Sequence, residues 1–214
     1  MQVDDLARVG LVALPSAASA AMLSVSVSDL KTDPDAAREW DRDVRPKLDS
    51  KRPDHDWSWQ TLHRSTLLPL RPRKGFAVRV DGRVVGLVLS NPRSHLLTDR
   101  AQLASYVWFM SAAPDSPVGR IGRGLLFCVV RASFLAGHRG CISLHAAPSG
   151  GQALPQIYLR LGLLQVPKAV AGYPIQGAVA RLRKQEPNDG RFFELTYDAA
   201  NAFVAHTDSL GMLG

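Results

Sequence analysis

The stretch that decides the fold begins Tyr106-Val107-Trp108-Phe109-Met110-Ser111-Ala112-Ala113-Pro114. It continues through Pro117-Val118-Gly119-Arg120-Ile121-Gly122-Arg123-Gly124 into Leu125-Leu126-Phe127-Cys128-Val129-Val130. The first run is aromatic-rich and closed by proline, as a strand should be. The third is apolar almost all round, which marks a helix packed inside. Between them lies a glycine-rich turn. Glycines at a helix start let backbone N–H groups approach an anion, and the helix dipole favours negative charge there. Arg120 and Arg123 sit in that turn and can pair phosphate with charge-assisted hydrogen bonds. The pattern suits a pyrophosphate-bearing ligand.

Downstream, Gly137 and Gly140 end the helix and Cys141-Ile142-Ser143-Leu144-His145 reads as the next strand. Pro148-Ser149-Gly150-Gly151 is a loop. A helix follows from about Ala153, with Pro155 tolerated in its first turn, and ends in Tyr158-Leu159-Arg160-Leu161-Gly162. Leu163 to Val166 and Phe192 to Tyr197 are further strand candidates.

Upstream, the strands Gly75 to Val80 and Arg83 to Leu89 flank Asp81-Gly82, a strong two-residue hairpin signal. This hairpin followed by a long strand over 103–112 makes a meander. Met22 to Ser28 alternates apolar and polar, as a half-buried strand does. Asp33-Pro34 opens a helix expected from Asp35 to near Leu48, with Trp40 and Val44 on one face. Residues 49–56 read as a loop and Trp57 to Ser65 as a short amphipathic helix. Residues 1–21 are expected to form an N-terminal extension, and 22–214 a single domain.

The ordered set of strand end, glycine turn, helix, strand and tyrosine helix resembles the core of the GCN5-related N-acetyltransferase (GNAT) family. That family's pattern is V-x-P, then Q/R-x-x-G-x-G/A, then Tyr-x-x-x-Gly-Phe. Ala112-Ala113-Pro114 matches the strand end, Ile121-Gly122 with Leu125-Leu126 the helix opening, and Tyr158 to Gly162 the last motif. The likeness is good over roughly residues 75 to 165 and rests on topology alone in the flanks. In the gap-free register Pro117 replaces the family's Gln or Arg, and Arg120 replaces its middle glycine. A slide of two residues makes Gly119, Gly122 and Gly124 the motif positions instead. Leu163 replaces the closing Phe, and Gly151 stands where many members have Asn.

The resemblance implies an α/β (α+β) fold with a mixed, mostly antiparallel sheet, helices on both faces and a splay between strands 4 and 5. It implies an acetyl-CoA-dependent acyltransferase acting on a primary amine. Tyr158 would then protonate the leaving thiolate. Main-chain groups of Met110, Ser111 and Ala112 would align the pantetheine arm and stabilise the carbonyl oxygen. The N–H groups of Val118, Gly119, Arg120, Ile121, Gly122, Arg123 and Gly124 would hold the phosphates. Many relatives dimerise, which leaves a homodimer open.

No acidic residue lies on Gln102 to Ala113, where some members keep a glutamate base. His145, at the end of its strand, is the candidate base, since histidine titrates in the useful range; a satisfied structural histidine is the commoner reading of a lone strand histidine, and a water-relayed base or an amine that arrives neutral are further ones. Acceptor selection in the family falls to the first two helices and their loop. Here that region holds Asp54-His55-Asp56-Trp57-Ser58-Trp59. Asp54 and Asp56 beside Trp57 and Trp59 would suit a cationic amine through ion pairing and cation–π contact. The alternative is two tryptophans that anchor the helix and two solvated aspartates.

Composition sets the outer limits. The chain has 214 residues, 46% hydrophobic and 21% charged, with net charge +7. These values are ordinary for a globular domain with a sizeable core. No apolar run reaches the length of a membrane span. Val9 to Met22 is alanine-rich, but its leader is acidic and Pro15 interrupts it, so a cytoplasmic location is expected. Two cysteines, Cys128 and Cys141, form no metal or disulfide pattern, and the six histidines lack paired spacing, so no metal is expected. The basic clusters Arg71-Pro72-Arg73-Lys74 and Arg181-Leu182-Arg183-Lys184 lack interleaved aromatics, and solvated loops explain them better than a nucleic-acid platform. Two competing functions follow: a binding module that kept the fold and lost the cofactor, and an enzyme acting on a nucleic-acid-linked amine, for which steep salt dependence would be diagnostic.

Overall fold

Asp81 and Gly82 hold φ of 48° and 78°, the two positive values that a type I′ hairpin turn requires. They join the second and third strands of a sheet in the computed structural model, which describes residues 24–64, 73–116, 121–170, 172 and 188–209. The extension over residues 1–21 and both clusters' outer residues, Arg71-Pro72 and 181–184, lie outside the described residues, as do Pro117 to Arg120.

In chain order the elements are β1 (Val25–Asp29), α1 (Asp35–Glu39), α2 (Trp59–Arg64), β2 (Lys74–Val80), β3 (Arg83–His95), β4 (Leu103–Ala112), α3 (Ile121–Leu135), β5 (Ile142–His145), α4 (Ala153–Arg160), β6 (Leu164–Gln165), β7 (Phe192–Leu195) and α5 (Tyr197–Ser209). The helix expected from Asp35 to Leu48 is one continuous span but not one geometry. After Glu39 it widens to a π-turn over Trp40–Val44, then tightens to a 3₁₀ turn over Arg45–Lys47 containing Pro46. β3 runs on to His95, six residues beyond the expected end. α5 was not expected, although Ala200, Phe203 and Thr207 recur at helical spacing and are all buried.

The sheet has seven strands among the described residues, in the order β1-β2-β3-β4-β5-β7-β6. All neighbours are antiparallel except β4 and β5. Alternation along β3 sends Val88 to one face and Leu87 and Leu89 to the other. The first face packs beneath α3 and α5, with Leu125, Leu126, Val129, Val130 and Phe203 in its core. The second packs beneath α1 and α2, with Trp40 and Trp59 fully buried edge to face, centroids 6.5 Å apart. Both cysteines are free and buried.

Two features of β4 shape the site. Its pairing with β3 slips between Leu89↔Phe109 and Ser90↔Val107, which leaves Trp108 as an extra, bulged residue. Its parallel pairing with β5 spans only Ser105↔Ile142, Tyr106↔Ser143 and Val107↔Leu144. Beyond that last rung the two strands part, and the sheet opens between its fourth and fifth strands as expected.

Candidate active site

The opening holds a cavity of about 960 Å³. One wall is the open half of β4, through Trp108, Met110 and Ala112. A second is the start of α3, through Gly122 and Arg123. A third is α4 with its preceding loop, through Ala147, Leu154 and Tyr158. The remaining side is the loop before α2, through Arg52, Asp54 and Trp57, and His145 at the end of β5 completes the lining.

The start of α3 approaches the sheet closely because β3 has a glycine beneath it. A Cβ on Gly86 would stand 2.5 Å from Ile121 Cγ2 and 3.1 Å from Leu125 Cδ1. Ile121 and Gly124 are buried while Gly122 and Arg123 face the cavity. A Cβ on Gly122 would meet no atom of the described residues within 4 Å. The first turn of α3 carries no acidic residue, and its leading N–H groups have no partner within the helix. The Arg123 guanidinium lies over the Phe203 ring at 5.8 Å from its centroid. This donor-rich, acid-free cradle fits a phosphate-bearing ligand. Val118, Gly119 and Arg120, assigned to the same contact from sequence, lie outside the described residues.

Tyr158 is 6% exposed and packs on Phe193 with ring centroids 5.5 Å apart. Burial alone pushes its phenol from 10.0 up to about 12, so it is protonated throughout the physiological range. Its side chain lines the cavity, and no hydrogen bond to its hydroxyl is formed by the described residues. The loop leading to α4 is fixed by Arg191, whose guanidinium donates to the carbonyls of Ala146 at 2.7 Å, Ala147 at 2.9 Å and Gly151 at 2.8 Å.

The acceptor side departs from expectation. Asp54 is 4% exposed and already paired. Arg52 donates to it through Nε at 2.9 Å and Nη2 at 2.7 Å, and Nη2 also donates to Ala112 O at 2.9 Å. This bidentate pair fastens the loop to the end of β4; its carboxylate charge is spent inside the protein. Asp56 is 93% exposed and pairs with His55. Trp59 is completely buried, with Nε1 donating to Ser111 Oγ at 3.3 Å, and it anchors α2 rather than facing a substrate. Ser111 is buried with it. Trp57 does line the cavity, packed edge to face on Phe109 at 4.9 Å. Of the four acceptor residues named from sequence, the structure brings Asp54 and Trp57 to the cavity.

His145 lies one residue past the last β4–β5 rung, with Nε2 at 3.0 Å from Asp189 Oδ2. Arg52, Asp189 and Arg191 were not singled out from sequence. The Arg52-Pro53-Asp54 spacing could have suggested a local pair. Asp189 and Arg191 stand 40 or more residues from these partners, and nothing in the sequence signals such contacts.

No protein-family model and no curated protein matches the sequence. Solved structures do match. A Desulfovibrio desulfuricans protein assigned to the GNAT acetyltransferases aligns at TM-score 0.52 and 15% identity, over 81% of this chain and 99% of that one. An aminoglycoside N-acetyltransferase in complex with CoA aligns at TM-score 0.52 and 15% identity, over 72% and 97%. A spermidine N-acetyltransferase chimera from Vibrio cholerae and hSSAT aligns at TM-score 0.50 and 12% identity, over 85% and 99%. With a sheet splayed beside a parallel β4–β5 pair and an α3 whose second residue is Gly122 at the opening, this chain has the GCN5-related N-acetyltransferase fold.

Proposed function

We propose that this protein is an acetyl-CoA-dependent N-acetyltransferase acting on a primary amine. The observation that carries the reading is the cavity at the sheet opening, where the acid-free start of α3 and a buried, protonated Tyr158 meet. Acetyl-CoA would supply an activated thioester carbonyl. The α3 N–H groups beside Gly122, with Arg123, would hold its phosphates by charge-assisted bonds. Trp108 to Ala112, unpaired on the β5 side, would offer main-chain groups to the acyl-pantetheine arm. Tyr158 would give its hydroxyl proton to the departing sulfur, and His145 would take the proton lost by the amine.

The acceptor end supports an amine on an apolar body over a polycation. Asp54 is neutralised by Arg52, and the indoles of Trp57 and Trp108 supply the flat surface there. A polyamine would find no unpaired carboxylate in this lining among the described residues.

Calorimetry and thermal shift with acetyl-CoA and CoA test the donor, and an amine panel read by thiol release tests the acceptor. Binding, turnover and preference for arylalkyl amines over spermidine are expected. Absence of both heat and thermal shift at millimolar acetyl-CoA would exclude the reading. If CoA binds and Tyr158→Phe changes nothing measurable, the non-catalytic binding module replaces it.

A further inference from the structure

His145 stands where the sheet opens, and its other edge is paired. β5 runs antiparallel to β7, with His145 opposite Phe192. The chain entering β7 turns at Gly190, with φ of 80°, and lays the Asp189 carboxylate against the imidazole. Nε2 is 3.1 Å from Oδ1 and 3.0 Å from Oδ2. A carboxylate can only accept, so Nε2 carries the proton. The neutral ring then presents a bare lone pair on Nδ1, which has no hydrogen-bond partner among the described residues. Phe192 backs the ring at 4.5 Å between centroids.

The carboxylate is itself held in place. Its Oδ1 accepts Arg191 N at 2.9 Å, Asn188 Oδ1 accepts Gly190 N at 2.9 Å, and Gly190 O accepts Gln165 Nε2 at 2.5 Å. The side chain of Arg191 meanwhile grips the loop that follows His145. One short segment therefore fixes the imidazole and the cavity wall beside it.

Side-chain alternation places this pair on a definite side of the sheet. Leu144 and Phe193 belong to the core beneath α3, where Tyr158 also packs. His145 and Phe192, one residue removed on each strand, face the opposite side, where Phe192 packs with Leu97 and Val166 and where α1 and α2 cover the sheet further along. The imidazole thus enters the opening from the acceptor side and the phenol from the α3 side.

We propose that Asp189 is the positioning residue of the catalytic base: it locks His145 in the Nε2–H tautomer so that Nδ1 receives the acceptor's proton. The proposal rests on the acetyltransferase reading. In the step, the neutral amine nitrogen forms a bond to the acyl carbon and the carbon–sulfur bond breaks. The proton lost by nitrogen goes to His145 Nδ1, and the sulfur takes the Tyr158 proton. Solvent then carries the extra proton of the imidazolium back to the phenolate, so amine and thioester become amide and thiol with no net change in the protein. The Asp189 carboxylate also stabilises the transient imidazolium.

The test combines kinetics with ¹⁵N NMR of the histidine rings in the full chain, His145 being assigned by its loss in His145→Gln. Wild type should show protonated Nε2 and bare Nδ1. His145→Ala should lower kcat by about 100-fold or more, the usual worth of a general base. Asp189→Ala should lower kcat by about 10- to 100-fold and mix the two tautomers, as loss of a second-sphere partner does, with KM for acetyl-CoA unchanged. Asp189→Asn, whose amide oxygen still accepts the Nε2 proton, should recover the tautomer and part of the rate. Wild-type kcat and an unchanged Nε2–H signature in Asp189→Ala would overturn the proposal, as would an Nδ1–H signature in wild type. Should Asp189→Ala not fold, Asp189→Asn and the wild-type spectrum still decide. Full activity in His145→Ala, with Tyr158→Phe inactive, would remove the dyad and leave the acetyltransferase. Failure to bind CoA would remove both.

Discussion

Gly122→Val separates binding from folding at the start of α3. The new Cβ enters space with no atom of the described residues within 4 Å, so it displaces none of them. Replacing glycine near a helix start adds a modest propensity gain, about 0.5 kcal/mol at most. The melting temperature should therefore stay level or rise slightly. The same three carbons occupy the space through which a phosphate would reach the α3 N–H groups, on a residue that lines the cavity. Losing one charge-assisted hydrogen bond costs about 1.5–3 kcal/mol, a weakening of about 10- to 150-fold. Isothermal calorimetry with CoA measures this, and pantetheine, which lacks the pyrophosphate, is the internal control. CoA should lose affinity and pantetheine should not. A CoA dissociation constant within twofold of wild type, or an equal loss for both ligands, would refute the placement of the phosphates.

Gly86→Val should do the opposite to stability, since its Cβ would sit 2.5 Å from Ile121 Cγ2; overpacking of this kind costs about 1–3 kcal/mol, and urea denaturation together with CoA calorimetry should show both stability and affinity falling. Burial raises Tyr158 from 10.0 and Cys128 from 9.0, each to about 12. The unfolded chain therefore releases these protons first, and stability present below about pH 9 should decline toward pH 12. Denaturation midpoints across that window should fall less steeply in Tyr158→Phe and Cys128→Ala, and parallel curves would contradict the assignment. Asp41, 8% exposed, accepts Trp59 N at 2.9 Å, Gln60 N at 3.1 Å and Ser58 Oγ at 2.9 Å. Asp41→Ala strands those donors and should cost about 2–3 kcal/mol in melting experiments, with the Trp57 wall loosened and KM for the amine raised.

Local patterns were legible because they depend on neighbours in sequence. Asp81-Gly82 has few conformations open to it other than the I′ turn, and the strands on either side alternate. The apolar run after Gly124 can bury itself only as an interior helix. The order of strand, turn, helix, strand and tyrosine helix resembles the acetyltransferase core, and it was that resemblance that implied a sheet parting between its fourth and fifth strands, as the end of the β4–β5 pairing at Val107 shows. α5 was legible too, through Ala200, Phe203 and Thr207, but was not anticipated.

What tertiary structure decided is which charges meet and which faces are covered. The resemblance pointed to the segment holding Asp54, Asp56, Trp57 and Trp59 as the acceptor side, but the sequence could not say which of them anchor, which are solvated and which face the opening, because adjacency cannot tell a buried partner from a solvated one. Folding buries Trp59 against Trp40, pairs Asp54 with Arg52 at the end of β4, and leaves Asp56 in solvent. The insertion of β7 between β5 and β6 is equally unwritten in local pattern, since strand order depends on which edges remain free after the meander and α3 have packed. That insertion carries Asp189 across 44 residues of sequence to His145 and Arg191 to the loop before α4. Pairings of this range are fixed only when the whole sheet closes around its core, and they are what turns a recognisable fold into a particular site.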